Sequence, residues 1–477
     1  MKIKLYLFSI YTYLNFGSYI FANNNYYIWH WHLNYGFDQQ SLSTLKSIPI
    51  KGLFLHSGNF SLIDKVPSFE GIQKRTNFVQ QIKNLKTYFK EIHLCYTFGN
   101  NKNNPFVKGF LNKNPRKAIQ YIVSKISQNY EFYQSLNKKI IGIQIDLEGS
   151  GIDFDIYKKI ILKLKKVINP QLISITPMSS WIKKDKFKQL VKECNFVVPM
   201  LYDYFRGKSP KQNLKVTDYF WLKSMVKRYQ QLDTKIVYGL PTYSYNVLYN
   251  DKGKMKVPWA VYNPNSITEN KRFKLISSIY GLSKKKSMHD RVISYEAKDT
   301  FSFKSQSFKK HSIMKYNYIS PSALAQYIEA IKSTVKTKDT NIAFFRFGKS
   351  SEELVLTAKK LKKAITYSFP AYFKISINKI YTPNGFYLSF RNLGSSSYFG
   401  KQGLTLNFSN TTIKDSNSDF DFFTKNSLTE SYFQHNEVLI SPKFKSNPSF
   451  KLTFIQENGV TIVKDINING DKLILKK

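Results

Sequence analysis

The chain has 477 residues with 42% hydrophobic side chains, enough for one large domain and a smaller one, which excludes a disordered protein. The formal net charge of +42 is typical of nucleic-acid-binding proteins, but only 8 of the 73 basic residues are arginine, which forms bidentate contacts with phosphate, and the lysines are spread along the chain. The composition therefore argues against nucleic acid and leaves an anionic polymer of the cell envelope as a predicted partner.

The first 22 residues have the pattern of a secretory signal peptide. Lys2 and Lys4 precede an apolar stretch, and Ala22 stands before the polar residue Asn23. Tyr, Ser and Asn side chains interrupt the apolar run, which makes it a poor transmembrane helix, and an uncleaved anchor is the alternative. We predict that residues 1–22 are removed and that the mature chain, without a membrane span, is periplasmic or secreted.

Between residues 23 and 369, short apolar runs alternate with stretches of helical periodicity. The runs begin at Tyr26, Gly52, Glu91, Ile141, Leu172, Phe196, Lys235 and Asn341. Eight strand-and-helix units in succession predict an α/β fold, a closed (β/α)8 TIM barrel. An open doubly wound sheet is the alternative, but HLNYGFD after the first strand is not the glycine-rich loop of such a sheet.

About a hundred residues separate the seventh and eighth predicted strands, more than one helix requires. The stretch SPSALAQYIEAIKSTV is the expected helix, so residues 245–319 are predicted to form an insertion on the face where barrels build their sites. This insertion either covers a substrate cleft or decorates the surface. From residue 370 to 477, apolar residues alternate with period two between Gly, Asn, Ser and Asp turns, which predicts a small antiparallel β-sandwich domain.

The only two cysteines, Cys95 and Cys194, both lie in apolar surroundings. Two cysteines do not make a disulfide framework in an exported chain of this size, and buried free thiols are common in such settings. We therefore predict that neither cysteine is a nucleophile.

The fourth strand, IIGIQIDLE, ends with two carboxylates. Alternate residues face opposite sides of a strand, so the aliphatic residues form one face and Gln144, Asp146 and Glu148 the other. On a barrel strand, the polar face then points into the barrel at its catalytic end. Two neighbouring carboxylates at low dielectric raise the proton affinity of at least one, as a general acid requires. The alternative is an internal ion pair with an inward-facing base such as Arg346.

Three strand ends together resemble those of the chitinase-like glycoside hydrolases of family 18. In that family, strand four ends in an acidic D-x-E motif preceded by a glycine, strand six in M-x-Y-D, and strand seven carries G-x-P-x-Y. The matching residues are Gly142, Asp146 and Glu148, then Met200, Tyr202 and Asp203, and then Gly239, Pro241 and Tyr243. The resemblance covers residues from about 26 to 369.

The chain departs from family 18 at named positions. Ile141 and Gln144 replace the first two motif acids, and NIAFFRFG lacks the usual eighth-strand Trp. The WHWH start, SITPMSSW on strand five and FFRF on strand eight resemble more closely a bacterial exported family, domain of unknown function 3142, which is itself similar to the chitinase-like barrels. Loss of the acid at Gln144 implies weak activity or none.

The resemblance to family 18 implies a retaining, substrate-assisted hydrolase of N-acetylated or related glycans that uses no cofactor. Glu148 would protonate the leaving oxygen, Asp146 would orient the N-acetyl group of the substrate, and Tyr202 would hydrogen-bond the oxygen of that group. The predicted substrate-binding residues are Gln144, Trp181, Asp203, Tyr243, Arg346 and Trp29. The predicted partner is a polysaccharide or oligosaccharide, and the alternative function is an inactive envelope protein that binds a glycan or a protein.

A metal hydrolase is a further alternative, because His30 and His32 form the H-x-H pattern that begins the amidohydrolase signature, and His56 follows on strand two. That signature also requires histidines on strands five and six and an aspartate on strand eight, which this sequence lacks. We therefore predict no metal site, and expect His30 and His32 to form hydrogen bonds in the barrel or to line its mouth.

Overall fold

The computed structural model describes residues 25–31, 39–71, 76–99, 104–149, 151–205, 207–212, 214–257, 267, 270–280, 291–303, 306–319, 321–336, 339–348, 352 and 354–366, followed by the strands of the C-terminal segment. The predicted signal peptide, residues 1–22, and His32 lie outside the described residues.

Eight parallel strands form a closed barrel, which confirms the predicted fold class. In chain order, barrel strands one to eight are Asn25–His30, Ile50–Ile63, Glu91–Phe98, Ile140–Asp146, Leu172–Ile175, Phe196–Val197, Lys235–Ile236 continuing as Tyr238–Pro241, and Asn341–Phe345. Strand one closes the barrel, because it pairs with strand two on one side and with strand eight on the other, where Tyr26 faces Ile342. Strand seven is interrupted at Val237, but its ladder continues, since Val237 N donates to the carbonyl of Val197 at 2.9 Å.

An α-helix follows each barrel strand. The helices are Gln39–Lys46, Thr76–Asn84, Pro115–Leu136, Phe154–Ile168, Asp185–Val191, Tyr219–Tyr229, Pro321–Lys332 and Ala358–Thr366. Capping side chains begin two of them: Asp153 accepts from the main-chain N–H of Ile156 at 3.2 Å, and Asp218 accepts from that of Trp221 at 3.0 Å. None of the helices in the described part of the chain is long and apolar enough to cross a membrane.

Side chains of strand one alternate between two buried clusters. Tyr26 and Ile28 pack in the layer under the helices, whereas Tyr27 and Trp29 lie in the barrel interior. The interior cluster consists of Tyr27, Trp29, Phe54, Phe196, Val198, Val237 and Ala343. Aromatic rings therefore fill the lower part of the barrel, which is a packed core and not a pore.

The segment predicted as an insertion contains a five-stranded antiparallel sheet. Its strands, in spatial order, are Met255–Val257, Tyr245–Tyr249, Ile313–Tyr318, Arg291–Ala297 and Phe273–Tyr280. A small hairpin of Phe301–Phe303 and Gln306–Phe308 accompanies it. The sheet has a buried cluster of its own around Phe273, Phe308 and Tyr316.

The C-terminal segment is all β in its described parts. Ile375–Thr382 pairs with Gly385–Asn392, and a second sheet has six strands. The six are Phe423–Lys425, Glu430–Phe433, Leu404–Asn407, Phe450–Glu457, Val460–Ile468 and Asp471–Leu473. Pairing is antiparallel except between Leu404–Asn407 and Phe450–Glu457, which run parallel. The packing of these sheets into a sandwich stays a prediction, as do the domain boundaries.

Replacement of Gly142 by Ala tests the packing of the barrel interior. A β-carbon at this position would lie 2.0 Å from Nδ1 of the fully buried His93. Since overpacking of a filled core costs about 1–3 kcal/mol, we expect Gly142→Ala to lower the midpoint of thermal unfolding. The matched control is Gly109→Ala, whose new β-carbon would meet Leu62 at an ordinary 3.4 Å. Equal midpoints for the two variants would contradict the interior position of Gly142.

Candidate active site

The interior face of strand four carries Gln144 and Asp146, with 0% and 2% of their surfaces exposed. The Trp29 indole Nε1 donates to Gln144 Oε1 at 2.6 Å, and Gln144 Nε2 donates to the hydroxyl of Ser174 at 3.4 Å. A buried amide is costly unless it is hydrogen-bonded, so these contacts fix its orientation. Trp29 is itself buried and supports strand four from inside the barrel.

Asp146 and Glu148 occupy different environments at the end of this strand. The Thr176 hydroxyl donates to the buried Asp146 carboxylate. Glu148 is partly exposed, and its main-chain carbonyl accepts from Asn104 Nδ2 at 3.0 Å. Burial raises the pKa of the Cys95 thiol well above its usual range, and the charges of Asp146 and then Glu148 raise it further. Both carboxylates therefore lie near enough to the interior position of Cys95 for their charges to act on it.

Tyr202 lies beside both carboxylates. Burial raises the pKa of its phenol well above the usual range, and the charges of Glu148 and then Asp146 add to the shift. Its ring stacks on Phe345, with centroids 5.4 Å apart, and meets Tyr243 edge-on at 5.9 Å. The phenol therefore keeps its proton at neutral pH and can donate a hydrogen bond.

Asp203 is held by two tyrosines of the following strand and loop. The hydroxyls of Tyr243 and Tyr245 both donate to Asp203 Oδ1. Burial raises the pKa of Tyr243 well above its usual range, and the charge of Asp203 raises it further. The main chain of Asp203 is left-handed, with φ of 58°, a conformation that Asp tolerates better than most residues. The predicted residues Tyr202, Asp203 and Tyr243 thus form one contiguous group.

The insertion braces the loop that carries Asp203. The Tyr249 hydroxyl donates to the carbonyl of Gly207 at 2.9 Å. Lys315 is 5% exposed, and its Nζ donates to the carbonyls of Pro210 at 2.9 Å and Gln212 at 2.5 Å. Burial lowers the pKa of Lys315. Side chains of the insertion sheet therefore satisfy main-chain carbonyls of this loop.

Trp181 lies apart from this group, whereas the main chain of Arg346 adjoins it, because the Thr242 hydroxyl donates to the Arg346 carbonyl. Trp181 is 3% exposed and packs edge-on against Phe154 at 5.1 Å, in the layer between the helices and the barrel. Arg346 follows strand eight and forms an ion pair with Glu352 at 2.7 Å, with both side chains partly exposed.

Trp31 and His56 form an aromatic pair at the mouth, and neither was among the predicted site residues. The two rings stack with centroids 4.7 Å apart and planes at 14°. The edge of Phe345 meets Trp31 at 4.9 Å, and Phe345 in turn stacks on Tyr202. The signal for Trp31 was present, because Trp31 lies two residues after the inward-facing Trp29 and so shares its face.

The ring nitrogens of His56 contact the carbonyl of Trp31 at 2.7 Å and the hydroxyl of Thr97 at 3.1 Å. His30 is buried, with its ring centroid 6.2 Å from that of Phe347. Across the described ranges, no group of three or more His, Cys, Asp and Glu side chains is arranged to hold a metal ion.

Comparison of the sequence with protein-family models and with curated proteins gives no match. Among solved structures, a chitinase from Chromobacterium violaceum is 12% identical, with coverage of 72% of this chain and 100% of that one and a TM-score of 0.48. The spore cortex-lytic enzyme of Bacillus cereus is 13% identical, with coverage of 72% and 73% and a TM-score of 0.46. A family 18 chitinase from Flavobacterium johnsoniae is 12% identical, with coverage of 72% and 93% and a TM-score of 0.42. The fold assignment rests on the strand order described above.

Lys315→Met tests whether the insertion braces the Asp203 loop. Met fills a similar volume but leaves the carbonyls of Pro210 and Gln212 without their buried donor, which costs about 1–3 kcal/mol for each unsatisfied group. We expect a lower unfolding midpoint and faster proteolysis at residues 207–212. Lys310→Met, at an exposed position of the same insertion, is the control and should leave both unchanged. If Lys315→Met were cleaved at the same rate as the wild type, the insertion would not brace this loop.

Proposed function

We propose that this chain is an exported, glycoside-hydrolase-like barrel that acts on an N-acetylated or related glycan. The observation that carries the proposal is the grouping of buried Asp146, partly exposed Glu148 and the protonated Tyr202 phenol at the end of the barrel strands. Catalytic residues in TIM barrels come from this end of the strands. The resemblance of these strand ends to family 18 supplies the substrate class.

In the proposed reaction, Glu148 gives its proton to the leaving glycosidic oxygen. The N-acetyl oxygen of the substrate attacks the anomeric carbon, so the substrate supplies the nucleophile and no second enzyme carboxylate is needed for attack. Asp146 orients and stabilises the N-acetyl group, and the Tyr202 hydroxyl donates to its oxygen. Water then opens the cyclic intermediate, and Glu148 accepts the proton of that water. The proposed reaction uses no cofactor.

Gln144 sets the expected rate of this reaction. It occupies the position of a family acid, and an amide cannot take up a proton from Asp146. The hydrogen bonds to Trp29 and Ser174 also hold its side chain in place. We therefore propose an enzyme of low activity.

The second candidate function is a catalytically inactive envelope protein that binds a glycan or a protein partner. The neutral Gln144 and the engagement of Asp203 by two tyrosine hydroxyls favour it, because both reduce the carboxylate chemistry at the barrel mouth. In either case the net charge of +42 would attract anionic envelope polymers, and nucleic acid is not the proposed partner.

Glu148→Gln tests the proposed general acid. The substrates are chitin, peptidoglycan and plain glucan oligosaccharides, and the measurement is product release by mass spectrometry. The amide cannot donate the proton, so we expect a loss of about 10²- to 10⁴-fold in rate. Asp146→Asn should also lose activity, on the N-acetylated substrates in particular.

Glu193→Gln is the matched control, because Glu193 forms an ion pair with Lys158 at 3.1 Å, away from this group. An unchanged rate in Glu148→Gln would rule out Glu148 as the acid. Saturable glycan binding by wild type without product release would instead support the inactive binding protein.

A further inference from the structure

His56 is placed so that its hydrogen bonds report its protonation state. It is 8% exposed, and its Nδ1 lies 2.7 Å from the carbonyl oxygen of Trp31. A carbonyl only accepts, so Nδ1 carries a hydrogen in every protonation state that makes this contact. The protonation of His56 is therefore decided at Nε2, which lies 3.1 Å from the hydroxyl oxygen of Thr97.

Thr97 has one hydroxyl hydrogen and two close neighbours that compete for it, since the Gly58 carbonyl, at 3.4 Å, is beyond the usual O–H···O distance. Its Oγ lies 2.9 Å from Asn59 Oδ1 and 3.1 Å from His56 Nε2. The orientation of the Asn59 amide is fixed, because its Oδ1 also accepts from the main-chain N–H of Gly99 at 3.2 Å. The Asn59 oxygen is thus an acceptor on both contacts. If Thr97 donates to Asn59, then Nε2 must donate to Thr97, and His56 carries both ring hydrogens.

A neutral His56 ring leaves one of the two close contacts of Thr97 without a hydrogen, whereas a charged ring does not. Thr97 would then donate to Nε2, and the 2.9 Å contact between its oxygen and Asn59 Oδ1 would hold no hydrogen. Two oxygens at that distance without a shared hydrogen repel each other, whereas the charged ring satisfies the contacts of Thr97 with both Asn59 and His56. The imidazolium form is also favoured by its stacking at 4.7 Å on the indole of Trp31, whose face attracts cations.

We infer that His56 is an imidazolium at neutral pH, in the wall of the barrel mouth. The charged and titratable groups of the neighbouring strands agree with this state. On strand three, Cys95 pairs with His56, and burial raises the pKa of its thiol, so it stays neutral. On strand four, the partner of Thr97 is Asp146, which together with Glu148 adds negative charge. Strand one contributes the uncharged indole of Trp31.

Acting through its neighbours, His56 is a positioning residue for the mouth. It holds Trp31 by ring stacking, and it orients the Thr97 hydroxyl toward Asn59. The main chain that follows Thr97 is held by Asn104. The Nδ2 of Asn104 donates to the carbonyl of Phe98 at 2.6 Å and to that of Glu148 at 3.0 Å. Deprotonation of His56 would turn the Thr97 hydrogen away from Asn59 and loosen the segment that Asn104 links to Glu148. This last consequence rests on the proposed function, whereas the protonation state does not.

The test is nitrogen-15 NMR of the histidine rings in the full chain at pH 7. We expect both ring nitrogens of His56 to be protonated in more than half of the molecules, although an unperturbed histidine, with a pKa of about 6.5, would be mostly neutral. His56→Gln assigns the signals by their loss. Thr97→Val provides a second assignment by shifting them, should the first variant fail to fold. A predominantly neutral ring overturns the inference whatever the glycan assay gives.

Tryptophan fluorescence tests the coupling to Trp31. A protonated imidazole quenches a stacked indole, so the emission of wild type should rise as the pH is increased through the titration that NMR records. Trp31→Phe should lose this step, and so should His56→Gln. His311→Gln, which removes an exposed histidine of the insertion, should keep it. A titration of His56 without a change in emission would overturn the stacking of the cation on Trp31.

Discussion

The hydrogen bond from the Trp29 indole to Gln144 joins strands one and four across the barrel interior at 2.6 Å. Both partners are buried, so neither can exchange this contact for water without cost. The bond fixes which face of strand four points inward, and Asp146 follows Gln144 on that face. It also holds an uncharged amide beside Asp146 on the inward face. The inward direction of Gln144 and Asp146 thus depends on a contact made across the barrel.

The strand pattern of the sequence was sufficient for the barrel. The apolar runs beginning near Tyr26, Gly52 and Glu91 coincide with barrel strands within two residues, because parallel strands buried on both faces need unbroken apolar sequence. The alternation in IIGIQIDLE likewise predicted that Gln144 and Asp146 face inward, since a strand has only two faces. The tyrosines and Asp203 were identified from short motifs at strand ends, and these residues lie in contact with one another.

Other features could not be read from single strands, because they depend on contacts between distant segments. Trp181 was expected in the cleft, but it fills the gap against Phe154, and nothing in its local sequence distinguishes a packing indole from an exposed one. The stacking of Trp31 on His56 requires the register of strands one and two. The role of Lys315 requires knowing that the insertion folds back over residues 207–212. Each case depends on tertiary pairing that periodicity does not encode.

Pairing of strand one with strand eight closes the barrel, so the barrel stays open during folding until strand eight is in place. The bond between the side chains of Asn25 and Asn341 spans 316 positions, and closing so long a loop costs chain entropy before any contact offsets it. Until strand eight arrives, the edge of strand one, with its aromatic run YYIWHW, has no partner on that side. Such an edge readily pairs with other chains. The newly made chain is therefore open to such pairing for as long as the last barrel strand is missing.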